Sequence, residues 1–457
     1  MHAKRFPLIS RDKRFYQGFF HILIIISLQH LATLAVNLVD NMMLGRYTEL
    51  ALSGATLVNQ YQFILQNLAS GVGMGIEVLA GQYWGKKQLE PIRRIIGIGI
   101  KLSLLVGLAF FTAAVFAPAG MLGLLTNDAA IIEEGVRYLE IMRITYPIYA
   151  LSSALMFSLQ TVETVMIGTV MSLSTVCINI CLNYCLIYGN FGFPELGVAG
   201  AAIATLISRT VELIIILVYV LKIDRKLHMK VRDLLRLDTT YLRDFFRVAT
   251  PMIVSGFFWG ITQSVQTAIL GHLTAPAIAA NSICTTVINI TAVVGMACAS
   301  AASITMAKSI GAFGLRRVRE YAVTLQLIFL GIGILTGLVT FFSRDFVLGF
   351  YAAGLSPETY ALARQFLTIM SVAVVCSCYQ YPTSAGIVAG GGDTKYPPIM
   401  ENLFAWLWVI PMSALCAFVF DLPPVIVFIV LKSDQVLKCI PNFIKCNRFR
   451  WARELTR

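Results

Sequence analysis

Hydrophobic and polar positions alternate along this chain in long blocks rather than residue by residue. Predominantly apolar stretches are centred near residues 30, 65, 105, 147, 175, 208, 257, 291, 330, 372, 407 and 432, and short polar segments separate them. A membrane-spanning helix needs about 20 apolar residues. The pattern therefore predicts an all-α integral membrane protein with twelve transmembrane helices.

The composition narrows the class of protein further. Of the 457 residues, 57% are hydrophobic and only 13% are charged, which leaves no room for a large water-soluble domain. The sequence contains no phosphate-binding loop, no HExxH motif and no Gly-x-Ser-x-Gly elbow. We therefore expect no enzyme and no cofactor. Transport by this chain would have to be driven by an ion gradient or by another subunit.

The basic residues lie between the apolar blocks and predict the orientation. Of the 36 Lys and Arg residues, 28 fall in segments that would be cytoplasmic, and the opposite loops hold only Arg46 and Arg344. Cytoplasmic loops carry such an excess of positive charge. We expect a multi-pass protein of the plasma membrane with both termini in the cytoplasm. The expected partners are lipids and small molecules, not nucleic acid, and the expected state is a monomer.

A basic stretch near the middle divides the chain into two sets of six helices. The predicted organisation is an N-terminal lobe at 1–221, a cytoplasmic linker at 222–243, a C-terminal lobe at 244–443 and a tail at 444–457. Residues 39–45 align with residues 265–271 at a shift of 226, and weaker matches at similar shifts keep their order. Parallel repeats of this kind predict two pseudo-symmetric six-helix bundles around a central cavity.

Polar residues inside the predicted spans mark a candidate cation or proton site in the first half. An ionisable side chain in hydrocarbon costs about 2.5 to 3.5 kcal/mol, so each one is a candidate for function. Helix 1 carries a polar stripe on one face, and helices 5 and 6 add amides and a hydroxyl; the expected site residues are Asp40, Asn37, Asn179, Asn183 and Thr205. A second interpretation is that Asp40 is hydrated near the outer interface.

The second half repeats the stripe with different chemistry. Gln266 stands where the repeat aligns it with Asp40, so we expect ion binding in the first half. Glu401 is either the acid of the second half or a solvated residue near the cytoplasmic end. The three-residue spacing of Arg209 and Glu212 predicts a structural pair. The candidate residues of a substrate cavity are Gln29, Thr33, Gln263, Gln266, Asn281 and Glu401.

Several motifs together resemble those of one transporter family. They are Val39 to Gly45, Gly81 to Lys87 (GQYWGKK), Asn179 to Arg209, Ala279 to Ser282 and Gly390 to Lys395 (GGGDTK). The chain resembles the multidrug and toxic compound extrusion (MATE) family, whose members exchange sodium or protons for organic cations and other amphipathic compounds. The resemblance implies twelve helices in two lobes that open alternately to the two sides. It also implies a recurrent cation or proton site at Asp40, with the helix 5 and helix 6 residues beside it.

Two departures from the family pattern affect the expected mechanism. Some relatives have an aspartate where this chain has Asn183, and several have a glutamate where it has Gly256. These departures leave Asp40 as the main acid of the first lobe and as the one candidate for a bound sodium ion. We expect an antiporter that exports amphipathic, often cationic molecules by alternating access, coupled to inward sodium or proton flow. The alternative is a flippase for a lipid-linked precursor, which would need more basic residues within the membrane.

Overall fold

A computed structural model describes residues 9–230, 232–233, 239–271, 275–349 and 356–456. In these ranges the regular secondary structure is helical, and no β-strand occurs. The prediction of an all-α protein is confirmed.

The first half of the chain forms long helices joined by short turns. Their bounds are α1 Lys13–Tyr47, α2 Glu49–Gly85, α3 Leu89–Phe116, α4 Pro118–Gly123, α5 Ala129–Met142, α6 Thr145–Thr161, α7 Met166–Tyr188 and α8 Gly197–Val218. The Thr48 hydroxyl accepts a hydrogen bond from the Ala51 backbone N–H and caps α2. The α7 helix ends at Gly189, whose φ of 69° is the left-handed conformation that glycine adopts without strain.

The second half of the chain also consists of helices, but these are interrupted more often. Its helices are α9 Leu242–Gly271, α10 Ala275–Phe313, α11 Val318–Gly349, α12 Pro357–Tyr381, α13 Tyr396–Phe404, α14 Ile410–Ala414, α15 Pro424–Leu437 and α16 Cys439–Asn447. Short π-helical segments at 382–388, 405–409 and 415–419 extend α12 and join α13 to α14 and beyond. Residues 396–419 therefore form one nearly continuous helical rod.

The helices account for the apolar stretches of the sequence. In the described residues, nine segments are long and apolar enough to cross a membrane, and one of them, Pro276–Gly349, joins α10 and α11. These nine segments contain ten of the twelve predicted centres. The other two centres, near residues 147 and 432, fall on α6 and α15. These helices have only 17 and 14 residues, respectively.

The chain forms two compact units. The N-terminal unit is Ile25–Gly256, and the C-terminal unit is Met1–Ile24 together with Phe257–Arg457. Both divisions fall inside a helix, since α1 and α9 each contribute to both units. The lobe boundaries expected from the sequence stay a prediction, and residues 231 and 234–238 of the expected linker lie outside the described residues.

Glycines allow close helix packing in the N-terminal unit. A Cβ atom at Gly71 of α2 would lie 2.7 Å from the Cα of Ile253 in α9, and one at Gly75 would lie 2.6 Å from the Cβ of Ala249. Small residues let helix backbones approach this closely, which is how helices associate without a hydrophobic driving force in a membrane. The α2 and α9 helices therefore pack backbone to backbone.

The C-terminal unit is held by aromatic packing and by its terminal segment. Phe366 of α12 stacks on Phe428 of α15 with ring centroids 4.0 Å apart, and both rings are buried. Trp451 is also buried and donates a hydrogen bond from Nε1 to the Cys446 carbonyl at 2.7 Å. The terminal segment therefore belongs to the folded unit.

Candidate cation-binding site

A chain of hydrogen bonds in the N-terminal unit joins α1, α7 and α8. The Asn183 amide donates from Nδ2 to Asp40 Oδ1 at 2.5 Å and to Asn179 Oδ1 at 3.1 Å. The Asn179 amide in turn donates from Nδ2 to Thr205 Oγ1 at 3.3 Å. Four of the five residues expected from the sequence thus lie in one network.

The network is enclosed, but it is not fully satisfied. Asn183 and Asn179 are 0% and 1% exposed, whereas Asp40 is half-buried. The Oδ1 atom of Asn183 is buried and has no hydrogen-bond partner among the described residues. A buried acceptor without a partner is costly, and such atoms in native proteins call for an explanation such as a missing ion or water.

The fifth expected residue, Asn37, is placed differently. It lies one turn before Asp40 on α1, but its side chain is exposed. In the described part of the chain, no hydrogen bond joins it to the network. The helical spacing that puts two residues on one face does not decide how far around that face the neighbouring helices reach.

Two residues that the sequence analysis did not assign to the site lie beside it. Tyr138 of α5 is buried and lies close to both Thr205 and Asp40. Arg209 of α8 also acts electrostatically on Asp40. The sequence carried no signal for Tyr138, because it lies on a short helix far from the other residues in the chain.

Arg209 is engaged by another acid. Its Nη1 is 2.7 Å from Glu212 Oε2, which is the pair that their spacing predicts. Ser152 Oγ donates to Glu212 Oε1 at 3.2 Å, and Thr175 Oγ1 donates to Glu212 Oε2 at 3.3 Å. Arg209 is thus ion-paired with Glu212 and acts on Asp40 only through longer-range electrostatics. The region carries one uncompensated negative charge when both acids are ionised.

The six residues expected to line a substrate cavity have varied surroundings. Gln29 is buried rather than open to a cavity, because it donates to the Val165 carbonyl at 2.8 Å and accepts from Gln160 Nε2 at 3.2 Å. Thr33 is exposed on the same helix. In the C-terminal unit, Gln263 is exposed, Gln266 and Asn281 are half-buried, and Glu401 is paired with Lys438.

Gly256 lies at the close approach of α2 and α9. A Cβ atom there would lie 3.1 Å from the carbonyl oxygen of Asn67 on α2, which is tighter than an ordinary contact. Any larger residue at this position would therefore require the α2 backbone to shift by a few tenths of an ångström.

Comparisons with known proteins agree with this architecture. The family model MatE matches residues 26–185 and 251–415. The chain is 26% identical over 430 residues to the probable multidrug resistance protein YoeA of Bacillus subtilis (strain 168), which covers 90% of each protein. It is 23% identical over 396 residues to the probable multidrug resistance protein NorM of Xylella fastidiosa (strain 9a5c), which covers 84% of this chain and 82% of that relative.

A solved structure shares the fold over nearly the whole chain. The Vibrio cholerae MATE transporter VcmN in its bent form superposes with a TM-score of 0.84 at 16% sequence identity, covering 95% of this chain and 97% of that one. The first segment matched by the family model contains Asp40, Asn179 and Asn183, whereas Thr205 lies between the two matched segments.

Proposed function

The chain belongs to the MATE family of multidrug efflux transporters, and from this premise we propose that it is an antiporter. It exports amphipathic, often cationic small molecules by alternating access and takes up sodium ions or protons in exchange. The proposal includes a monomer in the plasma membrane, in contact with lipids and with both termini in the cytoplasm. Its lobes are 1–221 and 244–443, joined by the linker 222–243 and followed by the tail 444–457.

One observation carries the choice of coupling site. Asp40 contributes a negative charge that Arg209 does not neutralise, since the guanidinium is already paired with Glu212. The Asn183 amide donates to Asp40 and leaves its own oxygen without a partner among the described residues. Rotation of the Asn183 amide by half a turn about its Cβ–Cγ bond would exchange Nδ2 for Oδ1 and place that oxygen beside the Asp40 carboxylate. Carboxylate, amide and hydroxyl oxygens are the ligands that a hard cation prefers.

Protonation is the other way to remove the uncompensated charge. A proton on Asp40 makes the carboxyl neutral, whereas a sodium ion keeps it ionised and neutralises it from outside. In both cases the occupied site differs in charge from the empty one. An ion that binds one conformation better than the other shifts the population toward it, and this bias is what couples ion flow to substrate export.

The driving force limits the stoichiometry. A tenfold sodium gradient supplies about 1.4 kcal/mol, which supports roughly tenfold accumulation of a monovalent cation in one-for-one exchange. A second ion would add the membrane potential, about 2.3 kcal/mol per 100 mV. Exchange through Asp40 alone therefore supports modest accumulation.

Substrate flux in proteoliposomes tests the proposal. Ethidium uptake is measured with a sodium gradient and a pH gradient imposed separately, for the wild type, Asp40→Asn and Gln266→Glu/Asp40→Asn. We expect one gradient to drive uptake in the wild type, and we expect Asp40→Asn to abolish that uptake while ethidium binding persists. Gln266→Glu should not restore it, because the partners of Asp40 are on α7 and α8.

The matched control is Asp345→Asn, which removes an exposed acid paired with Arg364 at 2.8 Å. It should transport like the wild type. Near-normal coupled uptake by Asp40→Asn would place the coupling site elsewhere. Absence of uptake of any cationic dye by inserted wild-type protein would favour the flippase or an uncharged substrate.

A further inference from the structure

Two cysteine side chains of the C-terminal unit lie next to each other across a helix interface. Cys376 belongs to α12, and Cys439 begins α16, 63 positions later in the chain. The Cys439 Sγ atom lies 3.7 Å from the Cys376 carbonyl oxygen, and its thiol group lies beside the thiol of Cys376. The packing of α16 on α12 therefore creates a pair of neighbouring thiols.

Polar contacts on both sides of this pair fix the register of the helices. Gln380, one turn after Cys376, donates from Nε2 to Gln435 Oε1 at 3.1 Å, and Gln435 lies one turn before Cys439. Asn442, three residues after Cys439, donates from Nδ2 to Gln380 Oε1 at 3.0 Å. Gln380 and Asn442 are buried, so a slide of one helix past the other would leave polar groups without partners. The two thiols are thus held together by their neighbours.

The pair is also accessible, which distinguishes it from a second pair of neighbouring cysteines. Cys376 and Cys439 are half-buried, whereas Cys298 of α10 and Cys378 of α12, which lie near each other, are buried. The Cys439 thiol contacts the Gln435 carbonyl oxygen at 3.3 Å. Because a thiol is only a weak hydrogen-bond donor, little stabilisation is lost when this group reacts.

Two thiols without further ligands favour one class of reactant. Zn²⁺ in a structural site is held by a tetrahedral set of ligands. The described residues contain no group of three or more His, Cys, Asp and Glu side chains that could hold a metal ion. Trivalent arsenic in an organic arsenical is also thiophilic, but it needs only two thiols, since carbon occupies its third bond. Its dithiol adduct is uncharged and therefore suits an interface between membrane helices.

We propose that Cys376 and Cys439 form a binding site for trivalent organic arsenicals. An arsenoxide, R–As=O, reacts with the two thiols to give R–As(S–Cys)₂ and water. Two As–S bonds form, the As=O bond and both S–H bonds break, and the two thiol protons leave on the oxygen as water. Arsenic stays trivalent, so the step needs no oxidant or reductant. The arsenic atom then bridges α12 and α16.

A disulfide between the same two residues is the competing product. It would draw the sulfur atoms to about 2.0 Å from each other, whereas an arsenic atom between them lets them stay farther apart. The amide contacts of Gln380 with Gln435 and Asn442 oppose a closer approach of the helices. The wider bridge is therefore the one that this interface accepts with less movement.

Intact-protein mass spectrometry of the purified, reduced full chain tests the proposal with phenylarsine oxide. Cys177, Cys181 and Cys185 are first replaced by serine, because they are four residues apart on α7 and could hold arsenic among themselves. In this background we expect one phenylarsenic group per chain. The adduct should survive 2-mercaptoethanol and be removed by 2,3-dimercaptopropanol, since a dithiol replaces both As–S bonds within one molecule.

Both cysteines of the pair should be indispensable. Cys376→Ser and Cys439→Ser each leave one thiol, so each should lose the adduct that survives 2-mercaptoethanol. Serine is close to cysteine in size, and Cys376→Ala provides a second test if a serine variant does not fold. The matched control replaces Cys298 and Cys378 by serine, which removes the buried pair, and it should keep the adduct.

The outcomes that would overturn the proposal are distinct. Absence of the adduct in the background without the α7 cysteines would do so, as would an adduct that persists in both Cys376→Ser and Cys439→Ser. A loss of two hydrogen atoms without added arsenic would identify a disulfide instead. Asp40→Asn should bind phenylarsine oxide as the background does, so the result does not depend on the coupling site proposed above.

Discussion

Replacing Gly71 by alanine should destabilise the N-terminal unit because two helix backbones meet there. The added Cβ would lie 2.7 Å from Ile253 Cα and 2.8 Å from Ile253 N, whereas ordinary contacts begin at 3.4 Å. The shortfall is about 0.7 Å against backbone atoms, which cannot rotate away as a side chain can. The α2 and α9 helices would have to separate along this interface.

The size of the destabilisation can be worked out by comparison with a glycine at which an added Cβ meets no other atom. At Gly331, in the middle of α11, nothing lies within 4 Å of an added Cβ. Alanine improves helix propensity by about 1 kcal/mol at either position, so this contribution cancels in the comparison. The remaining difference between the two variants is the cost of overpacking, which should lower the free energy of unfolding of Gly71→Ala by about 1 to 3 kcal/mol relative to Gly331→Ala.

Thermal unfolding in detergent measures the difference. We expect Gly331→Ala to match or exceed the wild-type apparent melting temperature, and Gly71→Ala to lie below it. Gly75→Ala should behave like Gly71→Ala, because its Cβ would be 2.6 Å from that of Ala249. Equal melting temperatures for Gly71→Ala and Gly331→Ala would refute the close packing of α2 on α9.

Two further predictions concern the ion site and the orientation. Thr205→Val removes the hydroxyl that accepts from Asn179, and the loss of one such hydrogen bond, about 0.5 to 1.5 kcal/mol, should raise the half-saturating ion concentration for ethidium uptake roughly two- to tenfold. Thr210→Val, whose hydroxyl bonds only within α8 to the Leu206 carbonyl, should not, and equal effects of the two changes would contradict a role for Thr205. In a variant without the native cysteines, an impermeant thiol reagent should label Leu124→Cys in intact cells and Gln88→Cys only after permeabilisation. The reverse result would invert the proposed topology.

The sequence by itself determined the class of the protein and the elements that carry the site. Apolar blocks of membrane-spanning length predict helices because unpaired backbone groups cannot be left in hydrocarbon, whatever the tertiary arrangement. Helical spacing put Asn179 and Asn183 on one face, and the rarity of acids in the spans drew attention to Asp40. These properties are local to the chain.

Only the tertiary structure decided which polar groups meet. Lys438 follows the last apolar stretch of the sequence, and nothing in the sequence pairs it with Glu401, 37 positions earlier, against which it is buried. Asp393 pairs with Lys445 of α16 at 2.8 Å, because the terminal segment folds back beside it. Tyr138 lies close to Thr205, although it belongs to α5, a helix that no sequence pattern connects with the site. Charge partners across long separations depend on how helices pack, and spacing along one helix carries no information about the helix opposite.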